Sequence, residues 1–161
     1  MPQPELVAKL ERIAGKANVL STPEDLVAYS TDATWLEMRP LAVVCADSTR
    51  MVSDVMKFAS SHRLPAVPRG AGTSISAGAT PEENGLVLDL TRMNSILEID
   101  VVNMTATVEA GVITARLQAE VEKRGLFYPP DPGSFRQSTL GGNIASNAGG
   151  MRGLKYGVTR D

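Results

Sequence analysis

Two glycine-dense stretches carry the residues of this sequence whose types and spacing could do chemistry. The first is "RGAGTSISAG", residues 69–78, and the second is "STLGGNIASNAGG", residues 138–150. Because glycine lacks a β-carbon, consecutive backbone N–H groups in such a loop can converge on an anion. Thr73, Ser74 and Ser76 would add hydroxyl donors without bulk. The chemistry indicated is phosphate or pyrophosphate binding, and the alternative is a pair of tight turns.

Neither stretch matches a common phosphate-binding motif. "GAGTSI" lacks the third glycine of the G-x-G-x-x-G dinucleotide fingerprint, and no G-K-[ST] sequence completes a P-loop. Seven of the 14 glycines nevertheless fall between Gly133 and Gly157, which is too local for compositional drift. A long segment without periodicity in a small domain is typically functional or disordered. The residues alone therefore favour a ligand loop without naming its ligand.

The other chemically capable side chains favour structural roles. His62 is the only histidine and ends a predicted helix, while Cys45, the only cysteine, lies in the apolar run "AVVCAD". A single histidine is poor material for a catalytic triad or a zinc site, and a single thiol excludes a multi-thiolate metal site. Asp131 stands between prolines and is typical of a turn, and Trp35 and the seven methionines indicate core or surface packing. Arg69 opens the first glycine loop, which favours an anion contact over a surface ion pair.

Composition sets limits on the class of protein. The chain has 161 residues, a net charge of -2, 43% hydrophobic residues and no tract of Lys or Arg. These values fit one globular domain and give no reason to expect nucleic acid. No run approaches the roughly 18 apolar residues of a membrane span, and "MPQPELVAKLER" is not typical of a signal peptide. We therefore expect a cytoplasmic protein.

Helical periodicity dominates the first third of the chain. "PELVAKLERIAG" predicts a helix with Leu6, Leu10 and Ile13 on one face. "STPEDLVAYS" predicts a second helix that begins at Ser21, with Glu24 completing a capping box. "STRMVSDVMKFASSH" predicts a third helix, set between the strand-like runs "LAVVCA" and "LPAVPRG". Residues 41–69 are therefore expected to form a β-α-β unit with parallel strands.

The sequence pattern changes from helical periodicity to short strand-like runs after the first glycine loop. "GLVLDL", "SILEID" and "MTATVEAG" are short strand-like runs, which together predict an antiparallel meander. "ITARLQAEVEKRG" predicts an amphipathic helix, and from "LFYPPDPGSF" onward the periodicity fades. The pattern as a whole predicts a chain of mixed helices and sheets.

Six sequence blocks, in order, resemble a known family. They are "PRGAGTSISAG", "LDLTRMNSILEID", "ATVEAGV", "YPPDPGS", "STLGGNIASNAGG" and "KYGVTRD". Residues 40–161 are similar to the FAD-binding domain of the vanillyl-alcohol oxidase/p-cresol methylhydroxylase (PCMH-type) superfamily. The nearest branch is that of the glycolate oxidase flavin subunit and the FAD-linked D-lactate dehydrogenases. The resemblance implies an α+β, PCMH-type fold: an N-terminal helical segment over 1–39, then a small parallel β-α-β subdomain and a mainly antiparallel subdomain within 40–161.

The resemblance also implies FAD as the cofactor and names its contacts. In this family the first loop wraps the FAD pyrophosphate, which here means Arg69, Gly70, Ala71, Gly72, Thr73, Ser74 and Gly78. The second region lines the flavin through Pro132, Gly133, Ser134, Thr139, Gly141, Gly142, Asn143, Ser146, Asn147, Gly149 and Gly150. A third segment along the cofactor consists of Lys155, Tyr156 and Gly157. No catalytic or metal-binding residue is expected in this chain.

Two positions depart from the family pattern. Members that attach FAD covalently through the first loop often have histidine where this chain has Thr73, and threonine cannot form that bond. The resemblance therefore implies non-covalent FAD. Gly133 stands where serine is common, which removes one hydroxyl but leaves Ser134.

By resemblance, the full-length protein oxidises a D-2-hydroxy acid such as glycolate or D-lactate to the 2-oxo acid. A C-terminal substrate domain with the catalytic residues is expected outside this chain, so the chain alone is expected to be inactive. Expected partners are the small-molecule substrate, further oxidase subunits or an electron acceptor, and a second copy through an exposed sheet edge. The full complex could lie at a membrane surface. The alternatives are another FAD-linked oxidase of the superfamily, and a non-catalytic nucleotide-binding or docking module.

Overall fold

A computed structural model describes residues 3–161, which divide into two units. The first unit ends at Arg92, and the second is Met93–Asp161. Within the described residues, no helix is long and apolar enough to cross a membrane.

The first unit contains the three predicted helices. They are α1 (Gln3–Ala14), α2 (Pro23–Val27) and α3 (Thr49–His62), with a short 3-10 turn at Lys16–Asn18. Helix α1 buries Leu6, Leu10 and Ala14, whereas Ile13 of the predicted face is exposed. Helix α3 begins after Ser48, whose hydroxyl accepts a hydrogen bond from Met51 N, and it ends at the left-handed Arg63. Both signals are common helix boundaries.

The predicted start of α2 is wrong by one residue. Thr22, not Ser21, caps the helix: its hydroxyl oxygen accepts a hydrogen bond from Asp25 N and donates one to the Asp25 carboxylate. Pro23 then takes the first helical position, where its missing N–H costs nothing. Because Pro23 occupies the first helical position, the residue before it, Thr22, is the N-cap. Its capping partner is therefore Asp25 and not Glu24.

A four-stranded sheet completes the first unit. Its strands are β1 (Val19–Leu20), β2 (Ala42–Cys45), β3 (Ala66–Arg69) and β4 (Leu86–Asp89), in the order β1-β2-β4-β3. Strands β2 and β3 both run parallel to β4, and β1 is antiparallel to β2. The core beside the sheet contains Leu26, Val43 and Val87.

The placement of "GLVLDL" in an antiparallel meander is wrong. This run forms β4, which lies between β2 and β3 and separates the two strands of the expected β-α-β unit. All four of its residues are buried, as the continuous apolar run of a central parallel strand requires. An antiparallel strand with one wet face would alternate instead. The remaining two runs do pair antiparallel, as predicted, as β5 (Ile96–Asp100) and β6 (Thr105–Val108).

The second unit packs the β5–β6 hairpin with three helices. They are α4 (Thr114–Glu122), α5 (Leu140–Ser146) and α6 (Gly153–Tyr156). The core of this unit contains Val112, Leu117, Val121 and Leu140. Helix α4 confirms the amphipathic prediction. Helices α5 and α6 lie in the segment without periodicity and were not predicted, because each is short and rich in glycine or exposed residues.

Cys45 and Trp35 lie in opposite environments, the first buried and the second exposed. Cys45 is buried in β2, as predicted. Trp35 is not a core residue, since its exposed fraction is 102%. It lies outside the regular elements, between α2 and β2.

We expect the Cys45 thiol to resist modification in the folded chain. Burial, followed by the nearby charge of Asp89, raises the pKa of this thiol, so little reactive thiolate forms at about pH 8. A coloured thiol reagent should report less than about a tenth of a thiol per chain before denaturant is added and a full equivalent afterwards. Rapid modification of the native chain would contradict the burial of this strand.

Candidate functional site

The first glycine loop follows β3 directly. Arg69 is the last residue of β3, and the loop runs from Gly70 to Gly78 without regular structure. The loop therefore leaves the carboxyl end of a parallel strand, the edge at which α/β sheets usually bind ligands. Strands β2, β3 and β4 all end at this edge, because β2 and β3 run parallel to β4.

The Arg69 side chain turns back and closes its own loop. Its Nη1 donates to the carbonyl of Ala79 at 3.1 Å, and its Nη2 lies 3.5 Å from the carbonyl of Ala28. The guanidinium stands over the ring of Tyr29, 5.5 Å from the centroid. Arg69 is only 8% exposed, so it is not the surface ion pair that the sequence left open. We call Arg69 with these three neighbours the arginine clasp.

The clasp rests on a fixed tyrosine. The Tyr29 hydroxyl donates to Asp89 Oδ2 at 2.7 Å, and Asp89 Oδ1 accepts from Thr91 N at 2.8 Å. Burial, and then the hydrogen bond and charge of Asp89, raise the pKa of Tyr29 well above its ordinary value. The tyrosine therefore stays protonated and acts as a donor that locks the ring beneath Arg69.

A second carboxylate anchors the far end of the loop. Asp32 accepts hydrogen bonds from Thr34 N and Thr34 Oγ1 at 2.9 and 2.8 Å, and from Ala79 N at 3.4 Å. Burial alone would raise the pKa of Asp32, but these hydrogen bonds outweigh it and hold that pKa below its ordinary value. Burial lowers the pKa of Arg69, and the negative charges of Asp32 and Asp89 act against that shift. The arginine thus balances two carboxylates beside the loop.

Ser74 stabilises the loop through hydrogen bonds to its own backbone. Its hydroxyl accepts from the N–H groups of Ser76 and Gly78 at 3.2 and 3.1 Å. Its carbonyl accepts from Ala33 N at 3.0 Å. The hydroxyl of this predicted contact residue is therefore engaged in shaping the turn, and the backbone is what the loop presents.

The loop presents a cradle of unpaired amides. Within the described residues 3–161, the N–H groups of Ala71, Gly72 and Thr73 donate to no protein acceptor. Gly72 has φ +67°, and a β-carbon there would collide with the Arg69 guanidinium. Consecutive amides in such a turn form an anion-binding concavity. The residues present therefore fit a pyrophosphate.

In the second unit, Asp131 joins two distant parts of the second region. Its Oδ1 accepts from Arg152 N at 3.1 Å, and its Oδ2 lies 3.5 Å from Arg152 Nε. Gly150, at φ +152°, packs so closely that a β-carbon would overlap the Asp131 backbone. Asp131 is therefore more than the turn former that its prolines indicated.

These residues lie beside a half-open pocket of about 590 Å³. Three predicted contact residues line it, namely Pro132, Gly133 and Gly150, although they lie up to 18 positions apart. Sequence reasoning missed the other lining residues, because only the fold brings them here. They are Gln118, Asp131, Phe135, Met151 and Arg152.

Helix α5 is held by its first turn. The Thr139 hydroxyl caps it by accepting from Gly142 N at 3.3 Å. Leu140 N and Gly141 N donate to the carbonyls of Val112 and Ala110, each at 2.8 Å. A β-carbon at Gly141 would lie 2.8 Å from the β-carbon of Ala110, so this glycine is required by packing alone.

The polar side chains of α5 are also engaged within the protein. Asn143 is 2% exposed, and its Nδ2 donates to Thr114 Oγ1 at 2.7 Å. Ser146 Oγ donates to the Gly142 carbonyl at 2.9 Å, and Asn147, in the left-handed conformation, accepts from Arg160 N at 3.0 Å. The polar side chains of these predicted contact residues therefore hold the backbone of α5 and of the residues that follow it.

The third predicted segment follows as α6. Tyr156 meets the ring of Phe127 edge-on, with centroids 5.5 Å apart, and Lys155 Nζ stands 4.7 Å from the centroid of the Tyr156 ring. Gly157 ends the helix at φ +82°. Among residues 3–161, no cluster of three His, Cys, Asp or Glu side chains could hold a metal ion.

A glycine loop of unpaired amides after a parallel strand defines a nucleotide-cofactor-binding domain. Residues 40–161 match the family described as FAD binding domain, and the chain belongs to that family. The match confirms FAD as the cofactor, and with it the resemblance stated from the six sequence blocks.

The chain is also similar to individual proteins of known name and structure. The chain is 49% identical over 154 residues to glycolate oxidase subunit GlcD of Bacillus subtilis, covering 95% of this chain and 33% of that protein. It is 41% identical over 160 residues to D-lactate dehydrogenase of Anaerostipes hadrus, covering 98% of this chain and 33% of that protein. The structure of p-cresol methylhydroxylase with substrate bound superposes with a TM-score of 0.76 at 25% identity, covering 90% of this chain and 29% of that one. The chain thus spans about a third of the length of these proteins.

Proposed function

We propose that the first glycine loop holds the pyrophosphate of FAD through its backbone. The observation that carries this proposal is the set of consecutive N–H groups at Ala71, Gly72 and Thr73, which have no acceptor within the described part of the chain. Backbone amides suit a pyrophosphate because several consecutive N–H groups can donate hydrogen bonds to its anionic oxygens. The arginine clasp ties the loop to the carbonyls of Ala79 and Ala28, and its charge offsets the negative charge of Asp32 and Asp89.

The second region is proposed to contact the rest of the cofactor. Pro132, Gly133 and Gly150 of this region line the pocket beside Asp131, and most of the polar side chains of the region are already engaged. Contact through main chain is therefore the mode that this segment favours. Lys155, Tyr156 and Gly157 follow in the same unit and are proposed to extend the contact.

The whole protein is proposed to oxidise a D-2-hydroxy acid, such as glycolate or D-lactate, to the 2-oxo acid. The relatives named for glycolate oxidase and D-lactate dehydrogenase support this proposal. FAD supplies the hydride acceptor when it is bound. This chain contributes binding and orientation of the cofactor, and we assign it no catalytic residue.

We also propose an assembly, a location and a role for the N-terminal residues. The name of the Bacillus subtilis relative describes a subunit, which favours an assembly with additional oxidase subunits. A cytoplasmic location is proposed from the composition and the single buried cysteine. We also propose that residues 1–39 form a helical extension to the FAD-binding domain, which begins at residue 40.

A titration of the purified chain with FAD, FMN and ADP tests the proposed loop. Flavin fluorescence should report saturable FAD binding, with FAD at least about tenfold tighter than FMN because FMN has no pyrophosphate bridge to a nucleoside. ADP should compete with FAD, since it carries the group that the loop is proposed to hold. Equal affinity for FMN and FAD, or no binding of FAD, would overturn the proposal.

The same preparation tests non-covalent attachment. Thr73 offers no ring nitrogen for a bond to the flavin, so acid precipitation should leave the flavin in the supernatant. Free FAD cofactor in a buffer-only sample is the control for recovery. A yellow protein pellet that survives washing would contradict the prediction.

A further inference from the structure

A buried cluster of three polar side chains connects α4 to α5 in the second unit. Thr114 is the first residue of α4 and is 0% exposed. Its Oγ1 donates to the carbonyl of Ser138 at 3.0 Å, lies 2.9 Å from Ser138 Oγ and accepts from Asn143 Nδ2 at 2.7 Å. A hydroxyl has one donor and two acceptor positions. With Ser138 Oγ as donor, the Thr114 hydroxyl is fully satisfied.

The cluster lies where the backbone of the second region needs support. Thr114 N also donates to the Ser138 carbonyl, at 2.9 Å, so one residue holds the chain just before the α5 cap by two bonds. Helix α5 has seven residues, two of them glycine, and most of it is exposed. Such a helix is not stable by its own propensity. Leu140 and Asn143 are its two buried residues, and Asn143 is the one bonded to the cluster.

We infer that the Thr114–Ser138–Asn143 cluster positions residues 139–150 for FAD. This inference rests on the proposed function, since it takes that segment to contact the cofactor. Asn143 then acts by fixing the backbone and not by touching FAD through its side chain. Thr114 and Ser138 are positioning residues that lie outside the set implied by the resemblance. The carbonyl of Asn143 supports the same role, because it accepts from Ala148 N at 2.8 Å at the end of α5.

Thr114→Val removes the hydroxyl and keeps the shape of the side chain. We expect the Kd for FAD, measured by fluorescence quenching with the purified chain, to rise at least about tenfold. Thr114→Ser restores the hydroxyl and should return the Kd to within about threefold of wild type. Thr107→Val, at an exposed position of β6, is the matched control and should change nothing.

A second variant separates positioning from simple loss of folding. In Thr114→Val combined with Asn143→Leu, no buried amide is left without a partner, so the apo chain should melt near the wild-type temperature. Its Kd for FAD should stay raised, and the resolved visible absorption of bound FAD should differ from that of wild type. Wild-type affinity in Thr114→Val or in the double variant overturns the inference, as does equal weakening by Thr114→Ser. Failure of the wild-type chain to bind FAD overturns the proposed function itself, and with it the inference.

Discussion

Replacing Gly142 with alanine is expected to weaken FAD binding at least about tenfold without destabilising the apo chain. A β-carbon at this position meets only Thr139 Oγ1, at 3.1 Å, and Gly142 is on the exposed side of α5. This contact is tight, and we expect the capping hydroxyl of Thr139 to shift by a few tenths of an ångström to accept alanine. Alanine is also favoured over glycine in a helix interior by about 1 kcal/mol. A loss of FAD affinity in Gly142→Ala would therefore come from the cofactor site and not from the stability of the fold.

The measurement pairs a urea unfolding curve of the apo chain with an FAD titration. Gly153→Ala is the matched control, because a β-carbon at Gly153 meets nothing within 4 Å and Gly153 is outside the predicted contacts. Gly141→Ala is the contrasting variant, since its β-carbon would press on Ala110 and should lower stability as well as affinity. Undiminished FAD affinity in Gly142→Ala would remove Gly142 from the site.

The local elements were predictable because their signals are local. Helix α3 was predicted from the helical spacing of apolar residues within one continuous stretch, and the structure adds its serine cap and its left-handed end. Strand β4 was misplaced because an unbroken apolar run of three residues, Leu86 to Leu88, does not indicate whether the strand pairs parallel or antiparallel. Its burial on both faces is a property of the assembled sheet, in which β2 and β3 become its neighbours.

The loops were predictable as loops, but their internal contacts were not. Glycine spacing and the motif blocks located the first loop, yet the partners of Arg69 come from elsewhere: Ala28 lies 41 positions away. Thr114 and Asn143 are 29 positions apart and have no motif that joins them. Such pairs depend on which elements pack together, and one sequence does not contain that information. The sequence therefore predicts the segments of the candidate site, whereas the hydrogen-bond partners of their side chains are seen only in the structure.

Gly72→Ala is expected to disrupt the first loop and the arginine clasp together. At φ +67° an alanine incurs about 1–2 kcal/mol of backbone strain. Its β-carbon would also displace the Arg69 guanidinium, which has no equally good buried partners to move to. We therefore expect the apo chain to lose about 2–4 kcal/mol of unfolding free energy, with FAD binding lost at accessible concentrations.

A double-mutant cycle with Arg69→Met identifies the cause. Methionine has no guanidinium to collide with, so in that background Gly72→Ala should cost only the backbone strain, about 1–2 kcal/mol. Urea unfolding curves of the wild type, the two single variants and the double variant give the coupling energy. This energy measures how much of the cost of Gly72→Ala comes from the collision with Arg69. If Gly72→Ala costs the same in both backgrounds, the glycine is required by its conformation alone. Because Arg69→Met by itself leaves Gly72 intact but removes the clasp, its FAD affinity should also fall, which would show that the buried arginine acts on the cofactor through the loop it closes.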